Sequence, residues 1–141
     1  VRELLAVRHN IEVAHRLFLT PGKCQQIHGH SMWVTLEVEG QRDATGKVGG
    51  LDFATMKTAF RGYLDATFDH RLLLHHDDPF ARALDTDSGT NVRLPGLLAM
   101  DDDPTTENIA AQVFTMMWAR FPTVYAVDVE ETSVNRARVQ R

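Results

Sequence analysis

Cysteine is nearly absent: Cys24 is the only one. No disulfide can form within the chain, which fits a reducing compartment. Long apolar runs are missing as well. Nothing approaches the ~20 residues that span a bilayer, and no signal-peptide pattern is present, so the expectation is a soluble, cytoplasmic protein without a membrane partner. Basic residues are outnumbered, with 15 Lys and Arg against 19 Asp and Glu and a net charge of −4. No basic stripe stands out along the chain. That excludes the electrostatic footprint of a nucleic-acid binder, and an anionic small molecule would need locally gathered cations. At 141 residues, 43% of them hydrophobic, the chain reads as one ordinary domain over 1–141 with a sizeable core.

Histidine is where the chemistry concentrates. His28 and His30 are two residues apart, so on an extended backbone both imidazoles point to one side. Gly29 between them carries no side chain and permits close approach. Met32, Val34, Leu36 and Val38 continue that side, while Trp33, Thr35, Glu37 and Glu39 take the other, which is the pattern of a half-buried strand. Upstream, Ile11, Val13, His15 and Leu17 share one parity and place His15 on the apolar face of a neighbouring strand. Three neutral imidazoles from two strands, without a fourth protein ligand in the pattern, match a catalytic zinc site with one position left for water or substrate. Taken alone, His15 also reads as a hydrogen-bonded core histidine, and the His-Gly-His pair as exposed rings at a strand end. Cys24, four residues before the pair, is either a fourth ligand of a closed site or an unligated nucleophile or acid–base group.

Along the chain, residues 3–18 and 31–39 read as two antiparallel strands around a loop at Thr20-Pro21-Gly22-Lys23. Residues 40–47 are turn chemistry. Asp52 is a helix N-cap, and Phe53, Met56, Phe60, Tyr63 and Leu64 recur at helical spacing over 53–67. From His75 to Asp103 the chain reads as a long irregular segment with one helical turn near Phe80 to Leu84. The adjacent His75 and His76 within it read as solvated surface in preference to a second metal site. Thr105 caps a second helix with Glu107 in its first turn, Ile109, Val113, Met116 and Met117 on its buried face, and Pro122 as its stop. Strands follow over Val124–Thr132 and from Ser133 to Gln140. The expected class is therefore α+β, an antiparallel sheet of four strands layered with two helices.

His15, Cys24-x3-His28-Gly29-His30, Asp52-Phe53, Asp69-His70, Pro104-Thr105-Thr106-Glu107-Asn108 and Glu131-Thr132 occur in one order over nearly the whole chain. In that order they resemble the 6-pyruvoyl-tetrahydropterin synthase and 6-carboxy-tetrahydropterin synthase family. The resemblance implies the tunnelling fold, in which subunits with a four-stranded antiparallel sheet and two helices on one face assemble into barrel-shaped homo-oligomers, commonly hexamers. It further implies active sites between subunits and 7,8-dihydroneopterin triphosphate as substrate. By the same resemblance His15, His28 and His30 are zinc ligands, Cys24 is an acid–base residue, and Asp69 and His70 are its catalytic partners. Glu131 becomes the pterin anchor, preferred over Glu130 because of the Glu-Thr pairing, with Thr106 and Glu107 lining the pterin pocket.

The chemistry suits these residue types. A carboxylate accepts two parallel hydrogen bonds from an aminopyrimidinone edge, and a thiol near a cation and an imidazole serves as a base. Arg16 and Lys23 either meet the triphosphate or are ordinary surface charge. The three-residue gap after Cys24 resembles the bacterial 6-carboxy branch, so a zinc-dependent lyase of queuosine-type biosynthesis is expected. The alternatives are the pyruvoyl enzyme, a non-catalytic zinc- or pterin-binding protein, and a generic zinc hydrolase.

Overall fold

The structure is a computed structural model and describes residues 1–85 and 96–141. Strand β1 (Glu3–His15) pairs antiparallel with β2 (His28–Gly40) along its whole length, from Glu3 opposite Gly40 to His15 opposite His28. This register sets Ile11 beside Met32 and Val7 beside Leu36, so the alternation read from sequence becomes one continuous apolar face. Helix α1 (Phe53–Thr67) follows, with the Asp52 carboxylate accepting from Thr55 N at 2.7 Å. Next come β3 (Arg71–His75), the short helix α2 (Pro79–Asp85) and β4 (Leu97–Met100). Helix α3 (Thr106–Arg120), β5 (Val124–Glu130) and β6 (Arg136–Gln140) complete the chain.

The α+β class stands, but four antiparallel strands and two helices are corrected to six strands and three helices among the described residues. The order is β4-β3-β1-β2-β5-β6, and the sheet is mixed, with β3 parallel to β1 and β4 parallel to β3. Parallel strands inside a sheet lack the in–out alternation that marks a strand in sequence. Leu73 and Leu74 are both fully buried although they are adjacent. The segment expected to be irregular therefore holds α2 and β4, while its residues 86–95 lie outside the described residues.

Met56, Phe60 and Leu64 of α1 and Ile109, Ala110, Val113 and Met117 of α3 close over the apolar strand face in one core cluster. Two expected core residues are at its margin, since Phe53 is 50% and Met116 47% exposed. On α3 the buried arc centres between Ala110 and Val113, and Met116 falls at its edge. Helix α3 starts as expected, Thr105 Oγ1 accepting from Asn108 N at 3.2 Å. The first strand stops at His15 instead of running to residue 18, because the N–H groups of Leu17, Phe18 and Leu19 leave the sheet. They bond to Cys24 O and to the two oxygens of Asp103.

Candidate metal centre and active site

The loop end of the β1–β2 hairpin delivers three imidazoles from the apolar face. Ring centroids lie 4.6 Å apart for His15 and His28, and 5.1 Å apart for His15–His30 and for His28–His30. One ligand atom from each falls within 4.8 Å of the others. Gly29 between them relieves a close approach, since a Cβ there would sit 3.2 Å from the Val13 carbonyl oxygen across the pair.

Backbone carbonyls set the tautomers. Pro104 O only accepts, so His15 Nδ1 donates to it at 2.7 Å, and His28 Nδ1 likewise donates to Gln26 O at 2.7 Å. In the neutral form of either ring that bond leaves Nε2 as a bare lone pair, and His15 Nε2 is buried without a hydrogen-bond partner. The Glu131 carboxylate adds negative charge, its Oε1 lying 3.7 Å from both His15 Nε2 and His30 Nε2. Lone pairs gathered beside a carboxylate repel in the absence of a cation, so the three-imidazole set fits a divalent metal. Burial pushes the His15 pKa down, assisted by His28 and His30, and outweighs the upward pulls of Pro104 O and Glu131. A neutral ring is the form a metal requires.

That shift carries a pH dependence. The folded state binds the His15 proton less readily than the unfolded chain. Its contribution to stability is therefore complete above the unfolded value and is lost as pH falls through about 6.5 toward the lower folded value. The urea midpoint of chelator-treated protein is expected to fall between about pH 7 and about pH 5.5. A flat profile would contradict a buried neutral His15.

Cys24 lies in a 3-10 turn, Lys23–Gln25, half-buried and outside the group of convergent ligand atoms. Asp69 and His70 do converge on each other. His70 takes a left-handed φ of 60°, which folds its ring back to 3.6 Å from Asp69 Oδ2, while Asp69 Oδ1 accepts from Glu12 N at 2.8 Å. His70, with Glu12, Ala14, Gly29 and Ser31, lines a groove of about 540 Å³. Glu12 and Ser31 project from the sheet face opposite to the imidazoles, while His30 borders the same groove.

The sequence model of the family described as 6-pyruvoyl tetrahydropterin synthase matches residues 4–141. The chain belongs to the 6-pyruvoyl tetrahydropterin synthase family. A Rickettsia typhi 6-carboxy-5,6,7,8-tetrahydropterin synthase is 33% identical over 105 residues, covering 73% of this chain and 71% of the relative. The Synechocystis protein of that name is 31% identical over 133 residues, covering 92% and 86%. Among solved structures, Caenorhabditis elegans 6-pyruvoyl tetrahydropterin synthase superposes with a TM-score of 0.72 at 25% identity, over 100% of this chain and 96% of that one. A Wolinella succinogenes protein described as uncharacterized reaches 0.84 at 22% identity, over 100% and 99%, which speaks to the fold alone.

In this member of the synthase family, other residues singled out in the sequence are placed as follows. Thr106 is half-buried and Glu107 exposed at the start of α3, directly after the Pro104 carbonyl that holds His15. Lys23 is exposed beside Cys24. Arg16 is not a free phosphate contact. Its guanidinium is forked onto the fully buried Asp78, so its charge is already matched. His75 is not solvated surface either, being 8% exposed at the end of β3. It forms a group with His76 and Asp77 that could hold a metal. Its Nδ1, however, already accepts from Asp77 N, and the His75 and His76 rings stack 20° from parallel. In-plane lone pairs of near-parallel rings run side by side and do not converge.

Sequence reasoning missed Asp78 and Asp103, because their partners lie far along the chain. Asp103 is 5% exposed and accepts from Phe18 N at 3.0 Å and Leu19 N at 2.8 Å. It ties the segment after His15 to the start of α3. Hydrogen bonds to a buried carboxylate contribute about 1.5–3 kcal/mol each, so Asp103→Ala is expected to lower unfolding free energy by roughly 3 kcal/mol in urea titrations. A change under about 0.5 kcal/mol, the range of an ordinary surface site, would contradict this role.

Proposed function

We propose that the protein is a zinc-dependent lyase. It converts 7,8-dihydroneopterin triphosphate and one water to 6-carboxy-5,6,7,8-tetrahydropterin, acetaldehyde and triphosphate, in a route to queuosine-type deazapurines in the cytoplasm. The observation that carries this reading is the convergence of His15, His28 and His30 from adjacent strands, in a chain whose Rickettsia and Synechocystis relatives bear that enzyme's name. His15, His28 and His30 would hold the ion, with the carbonyl bonds to His15 and His28 fixing ring orientation as outer-shell partners do. A bound zinc supplies Lewis acidity, lowering the pKa of hydroxyls on the substrate side chain.

The protein's own groups do the rest. Glu131 accepts the paired N–H donors of the aminopyrimidinone edge and so sets the distance from the pterin ring to the metal centre. Thr106 and Glu107 line the pterin pocket beside it. Cys24 Sγ takes and returns the proton at the side-chain carbon next to the ring. Asp69 orients the His70 imidazole, which relays the proton.

In this reading a second copy brings its Asp69 and His70 to the Cys24 of the first, so that each site forms between subunits. A homo-oligomer, with the hexamer as its form, completes each site and leaves the whole of 1–141 acting as a single synthase domain.

Incubating zinc-loaded protein with 7,8-dihydroneopterin triphosphate tests the reading. Acetaldehyde and a carboxylated tetrahydropterin in equal amounts are expected. Triphosphate release without acetaldehyde would assign the pyruvoyl reaction, and binding without turnover would leave a non-catalytic pterin protein.

A further inference from the structure

The turn that carries Cys24 has no apolar anchor. None of Lys23, Cys24 or Gln25 is buried, and the turn begins at Gly22 with a left-handed φ of 125°. Hydrogen bonds must hold it, and they come from the residues directly after the metal ligand His15. Leu17 N donates to Cys24 O at 2.8 Å, and Gln25 Nε2 reaches Phe18 O at 3.4 Å. The charged member of the set is Arg16. Its Nη1 donates to Gln25 O at 3.1 Å, while its Nε and Nη2 fork onto Asp78 at 2.6 and 2.9 Å.

The guanidinium has little room to move, since it lies 4.4 Å from the Phe80 ring centroid and 5.9 Å from that of Phe18. Asp78 has none, being fully buried and accepting also from Phe80 N at 2.9 Å. Burial pushes its carboxyl up, but the Arg16 fork and the Phe80 N–H outweigh this and hold it below the usual value. It is thus an anion at neutral pH. A buried anion fixes its cation, because separating them would leave a desolvated charge without a partner.

We propose that Arg16 and Asp78 are positioning residues that hold the Cys24 turn at a set distance from the metal ligands. Arg16 neighbours His15 in the chain and grips Gln25, the neighbour of Cys24, so one planar group ties metal ligand and thiol together. Lysine cannot do this, as it has no fork to spend two donors on Asp78 and a third on the carbonyl. The inference deepens the catalytic reading of Cys24 and rests on it for its effect on turnover. Its effect on the thiol stands apart from that reading.

The test compares wild type with Arg16→Lys and Asp78→Asn, all zinc-loaded. It measures kcat, KM, zinc content, Tm and the rate of alkylation of Cys24, the only thiol, by iodoacetamide. In Arg16→Lys, kcat is expected to fall about 10- to 100-fold, the scale of a misplacement near 1 Å, with KM and zinc content held. Alkylation is expected to speed up by roughly threefold or more as the turn loosens. Asp78→Asn should repeat the pattern. Where it fails to fold, Arg16→Lys, which keeps the charge, decides alone.

Unchanged alkylation in Arg16→Lys would overturn the proposal, and so would loss of zinc, which would place the effect on His15. If wild type forms no pterin product, the lyase reading fails while the alkylation comparison still decides whether the clamp exists.

Discussion

His28→Ala is expected to abolish metal binding and, with it, turnover. The wild-type chain is expected to retain about one zinc after dialysis and the variant close to none, because two remaining imidazoles would not fill a site built on three protein ligands. Lewis-acid stabilisation is worth several kcal/mol, so at about 1.4 kcal/mol per tenfold the loss in kcat/KM should be about a thousandfold or more. His28 is half-buried, which keeps the fold out of the comparison. His15→Ala should lose metal equally. It carries an added stability cost, since His15 is 1% exposed and its Nδ1 satisfies Pro104 O; stranding a buried carbonyl costs about 1–3 kcal/mol. Atomic absorption on the two variants, alongside urea titrations, separates the metal effect from the fold effect. A His28→Ala protein that keeps its zinc would contradict the assignment.

Cys24→Ala should show the complementary pattern. Zinc stays near one per chain, because the sulfur stands outside the convergent ligand set. Stability stays within about 0.5 kcal/mol, the range of substitutions away from the core. Only turnover falls, by about 10²- to 10⁴-fold, as expected for removal of a positioned acid–base group. A parallel fall in zinc content would make Cys24 a ligand and the site a closed one. The pair of variants therefore divides the site into a part that holds the ion and a part that moves protons.

Much of this was legible in the sequence because it is local. The alternation through Ile11, Val13 and His15 and through His28, His30 and Met32 depends only on strand geometry, and the register of β1 on β2 carries it into contact. The caps at Asp52 and Thr105 are equally local. What was not legible depends on partners far away. His15 and Pro104 are 89 residues apart and Arg16 and Asp78 are 62 apart, and no spacing rule links them. Arg16 thus read as either a phosphate contact or ordinary surface charge, although its charge is spent on a buried carboxylate.

Strands β3 and β4 were hidden for another reason. Leu72 to Leu74 form an unbroken apolar run, as parallel strands do, and β4 has only four residues, Leu97–Met100. The left-handed backbone at His70 likewise brings Asp69 and His70 together where an ordinary strand would turn them apart.

X-ray absorption at the zinc edge of the loaded protein tests the three-imidazole centre most directly. The expected spectrum fits three nitrogens at about 2.0–2.1 Å with one further light atom and no sulfur. A scattering shell at about 2.3 Å, the zinc–thiolate distance, would place Cys24 on the metal and contradict an unligated thiol.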